Sequence, residues 1–263
     1  MPDLQQPRVV LTGATGGIGR AIARLLSPRS EWLLLAGRNR SELEALRQEL
    51  GPEHTHIVCG DLCAAQTREE LRAAALALGG ANLLVNNAGC GDFHAFPTQE
   101  DERIRQLLET NLLSPMLLTR AMLPQLQQQS AAQVINIGSI FGYIGFPGFG
   151  AYCAGKFGLR GFSQSLRREL ADTGVAVRYF APRATRTPFN ADAVTAMNRE
   201  LGNAEDLPEY VAREFLAFLH SSDWERKLGA KERFFVLLNQ LFPALPDKAI
   251  AGQLPIIRKH LPL

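Results

Sequence analysis

Apolar residues along the chain fall into short unbroken runs, separated by longer stretches where they recur every three or four positions. Runs at 8–12 (RVVLT), 32–36 (WLLLA), 56–59 (HIVC), 81–85 (ANLLV), 133–137 (QVINI) and 175–180 (VAVRYF) are apolar at alternate and intervening positions alike. That is the pattern of strands buried on both faces. Between them lie helical periods. Ile18, Ile22, Leu25 and Leu26 share a face in a helix beginning at 19. Leu43, Leu46 and Leu50 do so over 41–50, with Ser41 as N-cap and Gly51 as the stop. Further helices are predicted near 67–78, over 100–123 with an end at Pro124, and over 151–172 with an end at Gly174. Beyond Pro182 the pattern is less regular. Residues 233–236 fit a seventh strand or the start of an amphipathic helix equally well.

Strands alternating with helices imply a parallel sheet covered on both sides by right-handed crossovers. The expectation is an α/β fold. It is a single-domain Rossmann-type doubly wound parallel sheet of six to seven strands, with helices on both faces and a C-terminal extension over about 190–263. Its ligand crevice lies at the carboxyl ends of the strands. With 263 residues, such a core needs no metal or disulfide to close it.

Composition narrows the classes of function. A net charge of +2 gives no field to gather nucleic acid, and no basic run interleaves with aromatics. The four cysteines, Cys59, Cys63, Cys90 and Cys153, include no Cys-x-x-Cys pair and read as free thiols in a reducing compartment. The first residues enter a strand without an export pattern, and no run of about 18 apolar residues suggests a membrane span. The expected location is cytoplasmic. His54 and His56 lack companion ligands, so no metal site is expected.

The first strand runs into T-G-A-T-G-G-I-G, Thr12 to Gly19, and then into a helix. Gly13 suits the tight turn, Gly16 or Gly17 lets backbone amides approach a pyrophosphate, and Gly19 lets helix and strand pack closely. The helix N-terminus adds oriented N–H groups and a positive dipole end. Thr12, Gly13, Thr15, Gly16, Gly17, Ile18 and Gly19 are therefore the phosphate-side candidates. A second signal lies at the end of the second strand. Dinucleotide sites that take NAD usually place an acid there for the ribose 2′-hydroxyl. Here Gly37 leaves room and Arg38 can meet a 2′-phosphate. NADP(H) is accordingly expected over NAD(H).

A third signal is Ser139, followed by Tyr152 and Lys156 in Y-C-A-G-K. Tyr152 and Lys156 stand at i and i+4 on one helix face. A free phenol has a pKa near 10 and is a poor proton donor or acceptor at neutral pH, and a neighbouring ammonium brings it closer. Ser139 can hold a carbonyl oxygen against the phenol. Together these groups point to hydride exchange between a nicotinamide and a carbonyl or alcohol.

The T-G-x-x-x-G-x-G turn, N-N-A-G at Asn86–Gly89 in sequence, Ser139 and Tyr152-x-x-x-Lys156 occur in the order that resembles the short-chain dehydrogenase/reductase family, over roughly residues 8 to 190. The resemblance implies further roles. Asp61 in C-G-D-L would contact the adenine amino group, with Leu62 flanking the ring. Asn87, Ala88 and Gly89 would pass the backbone close to the adenine ribose. Asn111 in E-T-N-L-L would complete a catalytic set with Ser139, Tyr152 and Lys156 by holding a water that relays protons to the lysine. Tyr152 and Lys156 would also touch the nicotinamide ribose. Pro182, Thr185 and Thr187 would line the nicotinamide end of the cofactor.

Two departures stand out. The family's basic residue within the glycine turn is missing, because Gly16 stands there, and the glycine after Pro182 is replaced by Arg183. Arg183 is expected to point outward, with contact to cofactor phosphates or an anionic substrate as the alternative. Cys153 is expected to pack, and His94 to lie at the surface, with contact to the substrate as the alternative.

Phe93, Phe96, Phe141, Tyr143, Ile144, Phe146, Phe149 and Phe189 lie in loops expected around the site. They predict a hydrophobic or lipid-like carbonyl or secondary alcohol as substrate. A 3-oxoacyl-thioester reductase is the alternative, and an NADP-binding redox sensor without turnover is the rival from outside enzymology. In the tail, Phe234, Phe235, Leu237, Leu238, Leu241 and Phe242 keep helical spacing among an excess of cations. A substrate lid, a subunit contact and a basic amphipathic surface resting peripherally on a membrane all fit. The resemblance further implies a homodimer or homotetramer formed through the helices bearing Asn111 and Tyr152.

Overall fold

In the first strand, β1 (Arg8–Thr12), Val9, Val10 and Leu11 are all fully buried, so both of its faces are covered. The computed structural model describes Leu4 and residues 6–262, and it explains how. Seven parallel strands form one sheet in the order β3-β2-β1-β4-β5-β6-β7. The others are β2 (Trp32–Gly37), β3 (Thr55–Cys59), β4 (Leu83–Asn86), β5 (Ala132–Ile137), β6 (Val175–Ala181) and β7 (Glu225–Lys227).

Alternate residues of each strand feed two cores. Val9, Leu11, Leu33, Leu35 and Phe180 pack with α1 (Gly17–Leu26), α2 (Arg40–Leu50) and α8 (Pro208–Leu219). Val10, Leu34, Leu84, Val134 and Val177 pack on the other side with α3 (Ala65–Ala77), α5 (Ser114–Gln127) and α6 (Gly150–Glu169). The doubly wound parallel sheet expected from the apolar runs is thus observed. Chain order reverses between β1 and β4, which opens a crevice at their carboxyl ends.

Two local expectations need correction, and one open alternative is decided. The helix over 41–50 starts one residue earlier and is capped by Asn39, whose side-chain oxygen accepts from the Glu42 amide at 3.2 Å, while its amide donates to the Glu42 carboxylate at 2.9 Å. That reciprocal pairing outcompetes Ser41, whose hydroxyl instead donates to Asn39.

The helix over 100–123 is α4 (Asp101–Leu108), a π turn at Glu109–Leu113, and then α5, which continues past Pro124 to Gln127. Pro124 and Arg120 are both exposed, so water can meet the carbonyl left without a helical donor.

The seventh strand is Glu225–Lys227, and 233–236 belongs to α9 (Ala230–Leu241). A three-residue charged edge strand has no apolar period to read. The chain ends in α10 (Ala244–His260), which packs on α7 (Asp192–Glu200) and α9.

Candidate active site

The glycine turn is fixed from the neighbouring strand ends. The Thr12 hydroxyl accepts the backbone N–H groups of Asn87 (2.9 Å) and Ala88 (3.0 Å), and the Asn87 side-chain amide donates to the carbonyls of Thr12 and Gly13, each at 3.0 Å. The Asn-Asn-Ala-Gly segment therefore stitches β4 to the turn. Gly13 has φ +62°, and a Cβ there would lie 2.8 Å from the Ala88 Cα. A Cβ on Gly19 would overlap the Gly13 carbonyl oxygen. Both glycines are demanded by the backbone itself.

Thr15 faces the end of β2, within 3.5 Å of where a Gly37 Cβ would stand. Ile18 instead turns its side chain into the core shared by α1, α2 and α8. The first turn of α1 has no capping side chain and no acid, and its N-cap Gly16 is exposed. Those amides and the dipole end are open to an anion, so the residues present fit a dinucleotide pyrophosphate.

Arg38 follows β2 and is exposed, with no side-chain partner among the described residues. Asp61 follows β3. The exposed Asp61 carboxylate accepts the Cys63 amide at 2.9 Å, while Leu62 packs into the core. Both stand on the β2–β3 side of the crevice, the side on which an adenosine would lie if the pyrophosphate rests on α1.

On the opposite side, Ser139 lies two residues past the end of β5 and caps a short turn, its hydroxyl accepting the Phe141 amide at 3.1 Å. Tyr152 and Lys156 lie in the first two turns of α6 and are buried. Burial pushes the Tyr152 phenol well above its ordinary range, while a hydrogen bond with Ser139 pulls it down. Lys156 donates to the Ile137 carbonyl at 3.0 Å, and its ammonium stands 5.8 Å from the Tyr152 ring centre. Burial lowers its pKa to about 8. Ser139, Tyr152 and Lys156 are therefore brought together, as the sequence predicted.

Asn111 joins them from the π turn. Its amide donates to the Cys90 carbonyl at 2.8 Å and its oxygen accepts the Cys90 N–H at 3.1 Å. A single π bulge in a helix aims one side chain out of register, and here that side chain holds the segment after Gly89. A Cβ on Gly89 would stand 2.9 Å from the Asn111 oxygen and 3.6 Å from the Lys156 ammonium.

Tyr179 was not foreseen. It is fully buried on β6, and its hydroxyl donates to the Lys156 carbonyl (3.2 Å) and accepts the Ser139 N–H (3.4 Å). It links the backbones that carry two site residues. Gly138 and Gly142 make room for it, since a Cβ on either would overlap its ring or hydroxyl. A tyrosine among the apolar residues of VAVRYF reads as core. Its signal was the glycine pair flanking Ser139–Phe141.

The loop after β6 departs most from expectation. Arg183 does not point outward. It pairs in a fork with Asp206 (2.8 and 3.0 Å) and reaches Glu232 of α9 (3.2 Å). Two carboxylates from distant parts of the chain share this one arginine, which is held further toward its charged form by the Asp206 hydrogen bonds. Thr185 donates to the Arg183 carbonyl. Thr187 packs on the start of α1, where a Gly17 Cβ would overlap its methyl. The Pro182 carbonyl accepts the Ile140 amide at 3.1 Å, tying this loop to the turn after Ser139.

Aromatic rings wall the tyrosine. Phe141, Phe149 and Phe189 lie 6.1–6.4 Å from its ring centre, Phe93 stacks on Phe149, and Phe146 on Phe141. Cys153 is buried in this cluster, as expected of a packing residue. Val194 and Met197 of α7 and Ile257 of α10 complete it. Tyr143 and Ile144 were expected here too, but they sit in a separate cluster, where Tyr143 packs on Tyr179 and donates to Glu225 at 2.8 Å. Phe96 is exposed. No helix among the described residues is long and apolar enough to cross a membrane.

Residues 7–198 match the family model described as short chain dehydrogenase. The 3-oxoacyl-[acyl-carrier-protein] reductase FabG of Haemophilus influenzae is 32% identical over 230 residues, which are 84% of this chain and 93% of that protein. Nodulation protein G of a Rhizobium species is 36% identical over 186 residues, 69% of this chain and 74% of its own. Among solved structures, a short-chain dehydrogenase from Streptomyces avermitilis superimposes with a TM-score of 0.80 at 26% identity, covering 96% of this chain and 98% of its own.

Proposed function

The chain belongs to the short-chain dehydrogenase family of nicotinamide-dependent oxidoreductases, and from that premise we propose that it uses NADPH to reduce the carbonyl of a hydrophobic substrate. The observation that carries this reading is the gathering of Ser139, Tyr152 and Lys156 at the end of β5, against a wall of phenylalanines. Exposed, unpartnered Arg38 beside Gly37 supports the 2′-phosphate form of the cofactor.

When bound, the reduced nicotinamide supplies a hydride to the carbonyl carbon. Tyr152 gives its phenolic proton to the oxygen as the alkoxide forms, so carbonyl, hydride and proton become an alcohol. The Ser139 hydroxyl donates to that oxygen and fixes its distance from the phenol. Lys156, charged, would favour the phenolate left behind and would help hold the nicotinamide ribose. Asn111 keeps the loop at Gly89 and Cys90 in place beside it. Thr12, Gly13, Thr15 to Gly19, Asp61, Leu62, Asn87 to Gly89, Pro182, Thr185 and Thr187 form the rest of the proposed cradle. α7 and Ile257 of α10 act as the lid over the substrate.

The relatives named 3-oxoacyl-[acyl-carrier-protein] reductase favour a 3-oxoacyl thioester as the first substrate class to test. The test is NADPH oxidation with 3-oxoacyl thioesters and with hydrophobic ketones. Turnover on the thioesters alone would place the enzyme in acyl reduction, turnover on ketones alone would place it outside, and turnover on neither would refute the carbonyl reading.

A further inference from the structure

α9 is amphipathic, but its outer face is left exposed among the described residues. Phe234, Leu237 and Leu241 recur at helical spacing on it, Phe242 and Leu245 continue it into α10, and all five are more than half exposed. The inner side of α9 is accounted for by Val236, which is buried with Tyr179 and Ile140. Large apolar side chains gathered on one exposed face mark a contact surface.

Charge decides which contact. Lys231 stands one turn before Phe234 and Lys248 one turn after Leu245, so ammonium groups bracket the apolar row. Arg233 is exposed beside them. None of these three cations has a side-chain partner among the described residues. Of the nearby acids, Glu232 shares Arg183 with Asp206, so that group keeps one net negative charge, and Asp247 adds a second against the three cations. A second copy docking the same face by two-fold symmetry would bring like charges together, which disfavours that occupant. Lysines flanking an apolar row can extend their ammonium groups to lipid phosphates while the row enters the acyl boundary.

We propose that the outer face of α9 and the start of α10 dock the enzyme on an anionic lipid bilayer. The face lies on the side of α9 opposite Val236 and involves no residue of the proposed catalytic set, so docking is separable from turnover.

The test is flotation of the purified full-length chain with vesicles of phosphatidylcholine alone, or with about 30% phosphatidylglycerol added to make the surface negative. The expected result is co-flotation with the anionic vesicles only, reversed at about 1 M salt, where the Debye length shrinks to about 3 Å. Lys231→Gln and Lys248→Gln should each lower the partition coefficient about fivefold, the effect of about one surface cation. Phe234→Ser with Leu241→Ser should abolish binding with an unchanged circular dichroism spectrum, since both side chains face solvent. Failure to float with anionic vesicles would overturn the proposal. So would a vesicle-independent dimer in light scattering that Phe234→Ser dissociates, because the face would then belong to a second copy.

Discussion

Replacing Tyr179 by Phe removes one oxygen and keeps the ring that Gly138 and Gly142 accommodate. Two backbone groups lose a partner, the Lys156 carbonyl at 3.2 Å and the Ser139 N–H at 3.4 Å. The carbonyl sits inside α6 and keeps its helical bond, so the larger loss is the Ser139 N–H. A net value of about 1 kcal/mol per bond, discounted for the long Ser139 contact, gives a loss of about 1–2 kcal/mol. For a chain of this size that lowers Tm by about 3–6 °C. The effect on turnover should exceed the effect on stability, because the hydroxyl sets Ser139 against the helix that carries Tyr152 and Lys156. A displacement well under 1 Å is enough to cost about tenfold in kcat. KM for the cofactor should change little, since the glycine turn is held by Thr12 and Asn87 instead. Thermal unfolding followed by circular dichroism and steady-state kinetics on one substrate give both quantities. Unchanged Tm and kcat, or a change confined to KM, would refute the positioning role.

Other expectations follow from the same geometry. Lys156 has a pKa lowered to about 8 by burial, and in the reductive direction it must be charged. Below that value kcat/KM should be flat with respect to this group, and it should fall as pH rises through about 8, which a pH–rate profile of the free enzyme reads directly. Gly19→Ala would place a methyl on the Gly13 carbonyl oxygen, so cofactor binding measured by calorimetry should be lost. Arg178 is fully buried and donates to Gln133 and to carbonyls of Phe218, Leu219, Ser221 and Asp223 around the end of α8. Arg178→Met strands several of these, and denaturant unfolding should show a loss of about 3 kcal/mol or more, at about 1–3 kcal/mol per unmet buried group. Arg183→Ala frees Asp206 and Glu232 and unties the loop after β6 from α9. The same loop carries Pro182, Thr185 and Thr187 of the proposed cradle, so KM for the carbonyl substrate and the cofactor dissociation constant should both rise several-fold, and a variant that changes neither would contradict the role of this tie.

The sheet was legible because strands buried on both faces leave unbroken apolar runs, and the glycine turn because its backbone tolerates no side chain at Gly13 and Gly19. Tyr152 and Lys156 share a face by helical spacing, but they and Ser139 were legible as a set only through their order with the glycine turn and the Asn-Asn-Ala-Gly segment, which is a family resemblance. What the sequence hid came from interactions between distant residues. Arg183 looked solvent-bound because Asp206 and Glu232 lie 23 and 49 positions away. Tyr143 looked like a wall of the site, yet it packs in a separate cluster, where its hydroxyl donates to Glu225. Tyr179 carried no polar signature within an apolar strand, and the short strand Glu225–Lys227 offered charge where a period was needed. The π turn that aims Asn111 is likewise invisible to a helical period, which it interrupts by one residue.

The most direct test of the central claim is NADPH oxidation by the purified chain on a panel of 3-oxoacyl thioesters and hydrophobic ketones, run beside NADH and beside Tyr152→Phe. Turnover that favours NADPH and collapses in the variant, with cofactor binding retained, is the predicted result. Turnover that survives the loss of the Tyr152 hydroxyl, or that favours NADH, would contradict the account.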